Sequence, residues 1–284
     1  MGKHRQTLLV FHKEVNNEIQ NYLRSISNSP LYPPIAYALS TKGKRLRPIL
    51  TKMMAQALGK GYDVNRCALA IELFHTASLI ADDLPCMDND DFRREQPSLH
   101  KKFNEATALL SSYCLLTEGF SEIEKSGVVY HQRGYGTEID GQKRVCLALK
   151  ETARLSGPKG AALGQYFDIE QKKTQSLEEF EELYYLKTGT LFQGAFTLGY
   201  IFGGGDLKNL SLIEKLSFHL GFAFQIRDDL EDMGEKQMSF SKRFGEQESK
   251  RRCDSELKDF FITLEQLDVD KALFIELVEF VFPK

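Results

Sequence analysis

The chain has 284 residues, enough for one large domain or two small ones with a substantial core. Its 37 basic and 40 acidic residues nearly cancel, to −3 at neutral pH, which argues against a nucleic-acid-binding domain and turns attention to local charge clusters. The five cysteines (Cys67, Cys86, Cys114, Cys146, Cys253) are scattered, which argues against a disulfide scaffold and a thiolate zinc site and points to a reducing, cytoplasmic setting.

Helical periodicity dominates from the start. Residues 5–26 carry Leu8, Leu9, Phe11, Val15, Ile19 and Leu23 at three- and four-residue spacing, the pattern of an ordinary docked helix rather than a leader. The prolines of "SNSPLYPP" (27–34) break that helix. Further helices are expected near 34–58, 63–84, 99–124, 142–167, 176–203, 209–233 and 247–280, with 126–141 ("SGVVYHQRGYGTEIDG") read as a loop. No strand alternation, repeat or linker stands out, and no apolar run reaches the roughly 18–20 residues of a membrane span. The expectation is all-α: a single-domain bundle of about ten helices over residues 1–284.

"CALAIELFHTASLIA" (67–81) is apolar on more than one face, the mark of a helix buried all round. It runs into "ADDLPCMDNDDFRR" (81–94), which places Asp82 and Asp83 at a helix C-terminus, where the macrodipole is already negative. Two carboxylates about 4 Å apart repel by roughly 4 kcal/mol at an effective dielectric of about 20. A cation relieves that repulsion, and Mg²⁺ characteristically shares one or two carboxylates with substrate phosphates. Pro85 prevents regular continuation and allows Asp88 to fold back toward the pair; the competing reading is a solvated acidic loop. A second cluster follows another apolar helix in "FAFQIRDDLED" (222–232), where Asp228 and Asp232 share a helical face beside Asp229. Two such clusters suggest a polymetal site that captures a polyphosphate. "TKGKRLRPIL" (41–50) supplies Lys44, Arg45 and Arg47, and Arg93 and Arg94 follow the first cluster; arginine forks and lysine charges suit phosphate oxygens. Lys187 and Thr188 interrupt an apolar helix, where a lysine also snorkels to the surface. His75 shares a helix face with Asp82 and otherwise reads as a satisfied core histidine.

Taken in order, these motifs resemble the trans-type isoprenyl (polyprenyl) diphosphate synthases, the farnesyl and geranylgeranyl diphosphate synthase family. "GKRLRP" (43–48) is similar to the family's isopentenyl diphosphate loop, and "DDLPCMDNDDFRR" (82–94) to its first aspartate-rich motif in the long form. "GQYFDIE" (164–170), "KTG" (187–189) and "FQIRDDLED" (224–232) match its mid-chain helix, lysine motif and second aspartate-rich motif. The resemblance implies that Asp82, Asp83, Asp88, Asp228, Asp229 and Asp232 hold about three Mg²⁺ ions on an allylic diphosphate. It assigns isopentenyl diphosphate to Lys44, Arg47, His75 and Arg94, and the allylic diphosphate to Arg93, Lys187 and Lys242. Lys187, Thr188 and Gln225 would stabilise the allylic cation, and the usual assembly of such proteins is a homodimer.

The segment after the second aspartate motif is shorter than in the family, so Lys242, in "FSKRFGEQ" (240–247), is matched on its first part only. Ser112 and Tyr113 stand where a small pair is common, and Glu231 where an apolar residue is usual. Ala77 and Ser78, five and four residues before the first aspartate, would form the floor of the elongation pocket; their small size favours a twenty-carbon product, with Phe74 as the next stop. The alternatives are a farnesyl diphosphate synthase stopping at fifteen carbons, a class I terpene cyclase, which needs no isopentenyl loop, and a non-catalytic helical subunit, which would not keep both aspartate motifs.

Overall fold

The computed structural model describes residues 3–41, 43–170, 176–231 and 239–282. Its elements form two compact units, residues 1–52 with 62–149, and residues 53–61 with 150–284.

In the first unit α1 (Lys3–Ser25) is followed by α2 (Tyr32–Ser40) and α3 (Leu46–Ala57), the last shared by both units. The single helix expected over 34–58 is therefore two. Pro33 and Pro34 open α2, where their missing N–H groups cost nothing, and the basic loop 41–45 separates it from α3. The central α4 (Asn65–Asp82) is buried along nearly its whole length, as its composition requires. It packs against α6 (Glu105–Gln132) closely enough that a Cβ at Gly119 would lie 2.6 Å from the Phe74 ring. Val15, Ile19, Leu39, Leu69, Leu73, Ala77, Ile80 and Leu115 share this core.

Three local expectations for this unit are corrected. Phe92–Arg93 (β1) and Gln96–Pro97 (β2) form a small antiparallel hairpin where no strand was expected. The helix expected over 99–124 is interrupted: α5 (Leu99–Lys102) ends, and Asn104 restarts the chain as α6, its Oδ1 accepting the Thr107 N–H at 2.8 Å. The expected loop 126–141 is mostly helix, being the end of α6, a turn at 133–137, and the start of α7 (Glu138–Ser156). Its glycines mark a helix crossing: a Cβ on Gly141 would lie 2.8 Å from the Gly127 carbonyl. Tyr135 in the turn stacks on Tyr62 with ring centroids 4.0 Å apart.

The second unit holds α8 (Ala161–Ile169), α9 (Leu177–Tyr184), α10 (Thr190–Phe202), α11 (Leu210–Glu231), α12 (Phe240–Phe244), α13 (Glu246–Leu264) and α14 (Ala272–Val281). A Ser176–Glu179 capping box starts α9. Between α9 and α10 lies one π-turn, Tyr185–Gly189, in which the Thr190 N–H reaches back to the Tyr185 carbonyl. Nearly every residue of α10 is buried. α11 packs chiefly on α13, with Phe180, Tyr184, Phe222, Ile226 and Phe240 in a shared aromatic core.

Candidate active site

In the first unit the apolar run of α4 ends where its acids begin, and the turn beyond it behaves as Pro85 suggests. The Met87 and Asn89 N–H groups bond to the Leu84 carbonyl, and the Asp88 N–H returns to the Asp82 carbonyl at 2.9 Å. Asp88 is thus folded back beside Asp82. Asp88 is exposed, Asp82 half-buried, and Asp83 only 3 % exposed. Asp83 Oδ1 accepts both Nε and Nη2 of Arg93, the former at 2.8 Å, and Arg93 Nη2 also donates to Asp90 at 3.1 Å. Burial pushes the Asp83 carboxyl up, and the Arg93 bond acts against it. The β1–β2 hairpin is what carries Arg93 to Asp83 and turns Arg94, at φ 51°, away from it.

The cations gather on the same unit. Arg47 Nη1 lies 3.2 Å from His75 Nε2, one turn or more before the aspartates on α4. Arginine can only donate, so Nε2 accepts and the proton sits on Nδ1, a buried atom with no hydrogen-bond partner. Burial, then Arg47, Arg94, Arg45 and Arg93, hold the His75 pKa well below its ordinary value. Arg94 lies against Gly43, where a Cβ would come 2.5 Å from its Nη1, so the glycine of the basic loop makes room for the guanidinium. Burial lowers the Arg94 pKa; Glu72 opposes the shift while Arg45 and Arg93 add to it. Lys44 is exposed. Ala77 is fully buried and its carbonyl accepts the Ser112 hydroxyl at 2.9 Å, whereas Ser78 is half-buried and bonds to the His75 carbonyl.

In the second unit the π-turn carries Lys187 and Thr188, both half-buried. Lys187 pairs with Asp168 of α8. Gly164 lets α8 pass over this turn, since a Cβ there would lie 2.5 Å from the Lys187 nitrogen. A π-turn widens the helix and often marks a working site. On α11, Asp228 and Gln225 are half-buried, while Asp229 is 1 % exposed. Asp229 Oδ2 accepts the Tyr184 hydroxyl and the Phe240 N–H, and Oδ1 accepts Gln225 Nε2 at 3.4 Å. Lys242 is exposed on α12, which Ser239 caps; Asp232 lies outside the described residues.

Among the described residues, no three His, Cys, Asp or Glu side chains form a ready metal cage. That donor set still fits Mg²⁺, which takes one or two carboxylates and completes its shell with water and substrate phosphate. Asp82 and Asp88, adjacent through their turn, and the half-buried Asp228 offer hard oxygens of this kind.

A family model for polyprenyl synthetase matches residues 28–254. The chain belongs to the polyprenyl synthetase family. Relatives of this chain include the farnesyl diphosphate synthase of Geobacillus stearothermophilus, 38 % identical over 246 residues, covering 84 % of this chain and 78 % of that protein. Geranylgeranyl pyrophosphate synthase 4 of Arabidopsis thaliana is 30 % identical over 278 residues, covering 91 % and 72 %. Among solved structures, a geranyltransferase from Legionella pneumophila matches with a TM-score of 0.85 at 27 % identity, covering 98 % of this chain and 96 % of that one. A geranyltranstransferase from Thermotoga maritima matches with a TM-score of 0.79 at 30 % identity, covering 98 % and 100 %. The all-α expectation holds, and with it that of a short-chain trans-prenyltransferase of the farnesyl and geranylgeranyl type.

Four residues that organise the site, Arg45, Glu72, Asp168 and Tyr184, were not assigned these partners from the sequence. Arg45, at φ 49°, turns inward to pair with Glu72 and bonds to the Leu39 and Thr41 carbonyls, which fixes the basic loop on α4. Glu72 was visible as the lone acid of an apolar helix, a signal for a buried partner. Asp168, within "GQYFDIE", sits on Lys187. Tyr184 had no signal, because its partner Asp229 is distant in the chain.

Proposed function

We propose that this chain condenses isopentenyl diphosphate head to tail with dimethylallyl, geranyl or farnesyl diphosphate, in the cytoplasm and as a homodimer. The observation that carries the reading is the turn 82–88, which returns Asp88 to Asp82 beside the hairpin that presents Arg93 and Arg94. Asp82, Asp88 and Asp228 hold the Mg²⁺ ions, about three of them, with Asp232 completing the set; Asp83 and Asp229 act through their protein partners. Bound Mg²⁺ would supply Lewis-acid stabilisation of the departing diphosphate. Lys44, Arg47, His75 and Arg94 hold the diphosphate of the isopentenyl substrate, with neutral His75 accepting from Arg47 and so orienting its guanidinium. Arg93, Lys187 and Lys242 face the allylic diphosphate. The carbonyl dipoles around Lys187 and Thr188 and the amide oxygen of Gln225 stabilise the allylic cation. The homodimer is supported by Leu110 and Tyr113, both more than half exposed on α6. No helix among the described residues is long and apolar enough to cross a membrane.

The product is proposed to have twenty carbons, because Ala77 and Ser78 offer no bulk before Phe74, whose ring meets Phe120 at 5.0 Å as a further stop. The test supplies Mg²⁺, labelled isopentenyl diphosphate and each primer in turn, and sizes the products. Absence of incorporation with every primer would refute the condensation. Ala77→Tyr and Ser78→Phe should each shorten the product to fifteen carbons. Ser78→Phe is the cleaner test of the two, since a tyrosine at fully buried Ala77 also overpacks the core. Wild type stopping at fifteen carbons would place the stop elsewhere.

A further inference from the structure

We infer that Asp229 is a positioning residue, not a metal ligand: it locks α12 and fixes the amide of Gln225. The inference extends the proposed condensation by dividing the second aspartate pair between two tasks.

The geometry around Asp229 is closed. Its side chain is 1 % exposed, and the three groups that reach its carboxylate all belong to the protein. The Phe240 N–H points at Asp229 Oδ2 at 2.8 Å and at the Tyr184 hydroxyl oxygen at 3.1 Å, while that hydroxyl donates to the same Oδ2. The Ser241 hydroxyl adds a bond to the Asp229 carbonyl at 3.2 Å. Phe240 is fully buried and packs on Phe180, Phe222 and Phe244. One carboxylate thus ties the first turn of a five-residue helix to α9 and α11. An isolated helix that short has no stability of its own, so its position, and that of Lys242 within it, follows from these bonds. A metal ion needs oxygen lone pairs reachable from outside, and here Oδ2 is occupied by two buried protein donors while Oδ1, reached by Gln225 at 3.4 Å, is enclosed with the rest of a residue that is 1 % exposed.

The bond from Gln225 has a second consequence. With its NH₂ group committed to Asp229 Oδ1, the amide oxygen is the end left for an electron-poor substrate carbon. An amide turned the other way would present a positive edge to a carbocation.

Lys242 and Arg243 lie inside α12 and make the tether measurable by trypsin. Cleavage after these residues, identified by mass spectrometry of the new termini, is expected to accelerate about tenfold in Asp229→Asn and at least about threefold in Tyr184→Phe, with far-ultraviolet circular dichroism unchanged. This readout needs neither metal nor substrate, so it stands or falls apart from the condensation itself. In calorimetry with Mg²⁺ and inorganic pyrophosphate, Asp228→Asn should weaken binding at least tenfold and Asp229→Asn less than twofold. In turnover, Asp229→Asn should lower kcat about tenfold while KM for isopentenyl diphosphate stays within twofold. Equal loss of Mg²⁺–pyrophosphate affinity in the two asparagine variants, or unchanged cleavage in Tyr184→Phe, overturns the assignment. If Asp229→Asn does not fold, Tyr184→Phe alone decides it.

Discussion

A histidine whose Nε2 accepts from an arginine must be neutral, and His75 shows what that demands of its surroundings. Its sequence position, seven residues before Asp82, placed it on the right face of α4 but did not show its charge state. That depends on burial and on Arg47, Arg94, Arg45 and Arg93, brought together from the start of α3 with the residues before it and from the β1–β2 hairpin. Burial and these cations depress its pKa below the ordinary 6.5. As the pH falls through about 6.5, the unfolded chain takes up a proton that the folded chain refuses, so stability present above that pH is lost toward the lower folded value. Urea midpoints of wild type should therefore drop more steeply between pH 7 and 5 than those of His75→Gln, which has no proton to gain. Coincident slopes would mean that His75 is protonated in the folded chain.

At the scale of elements, the legible features were those written locally. The buried character of α4, its end ahead of Pro85 and the basic loop followed from residues adjacent in sequence. What escaped were features set by contacts between segments. Gly127 and Gly141, inside the stretch read as a loop, are instead where α6 and α7 cross. The π-turn at Tyr185–Gly189 lies where α8 passes closely at Gly164, a contact that periodicity cannot see. Likewise Arg45 looked like one more phosphate-binding cation, yet it is 7 % exposed and paired with Glu72, itself 2 % exposed. Breaking a buried pair by removing one partner leaves the other charge uncompensated, at a cost of about 3–5 kcal/mol. Glu72→Ala should lose roughly that much in urea unfolding. The double variant Glu72→Leu with Arg45→Met should recover part of it, because no buried charge remains. The double variant should nevertheless bind isopentenyl diphosphate poorly, since Arg45 also holds the Leu39 and Thr41 carbonyls that shape the loop between Lys44 and α2. Recovery of both stability and KM would show that the loop keeps its form without the clasp.

For the molecule as a whole, a net charge of −3 conceals concentrated charges of both signs, and the fold tolerates them by different means. Asp83 and Asp229 are neutralised or bonded from within, by Arg93 and by Tyr184, Phe240 and Gln225. Asp88 is exposed and Asp82 and Asp228 are half-buried, so folding of the metal-free chain is expected not to depend on ions. Chelation should thus abolish turnover and leave helical circular dichroism intact. Adding ligand should act by mass action. At about a hundredfold excess over its Kd, a ligand that binds only the folded state contributes about 2.7 kcal/mol. For a chain of this size that raises Tm by roughly 5 °C. The full rise requires Mg²⁺ and pyrophosphate together, with pyrophosphate alone reaching only the cations Lys44, Arg47 and Arg94, because the carboxylates and the anion repel each other without the ion, and the ion is weakly held without the anion's oxygens. Differential scanning calorimetry with Mg²⁺ alone, pyrophosphate with chelator, and both together separates these terms. A full shift with Mg²⁺ alone would indicate a preformed protein cage. A full shift with pyrophosphate and chelator would place the anion on Lys44, Arg47 and Arg94 without any ion, and the aspartates would then have no part in holding it.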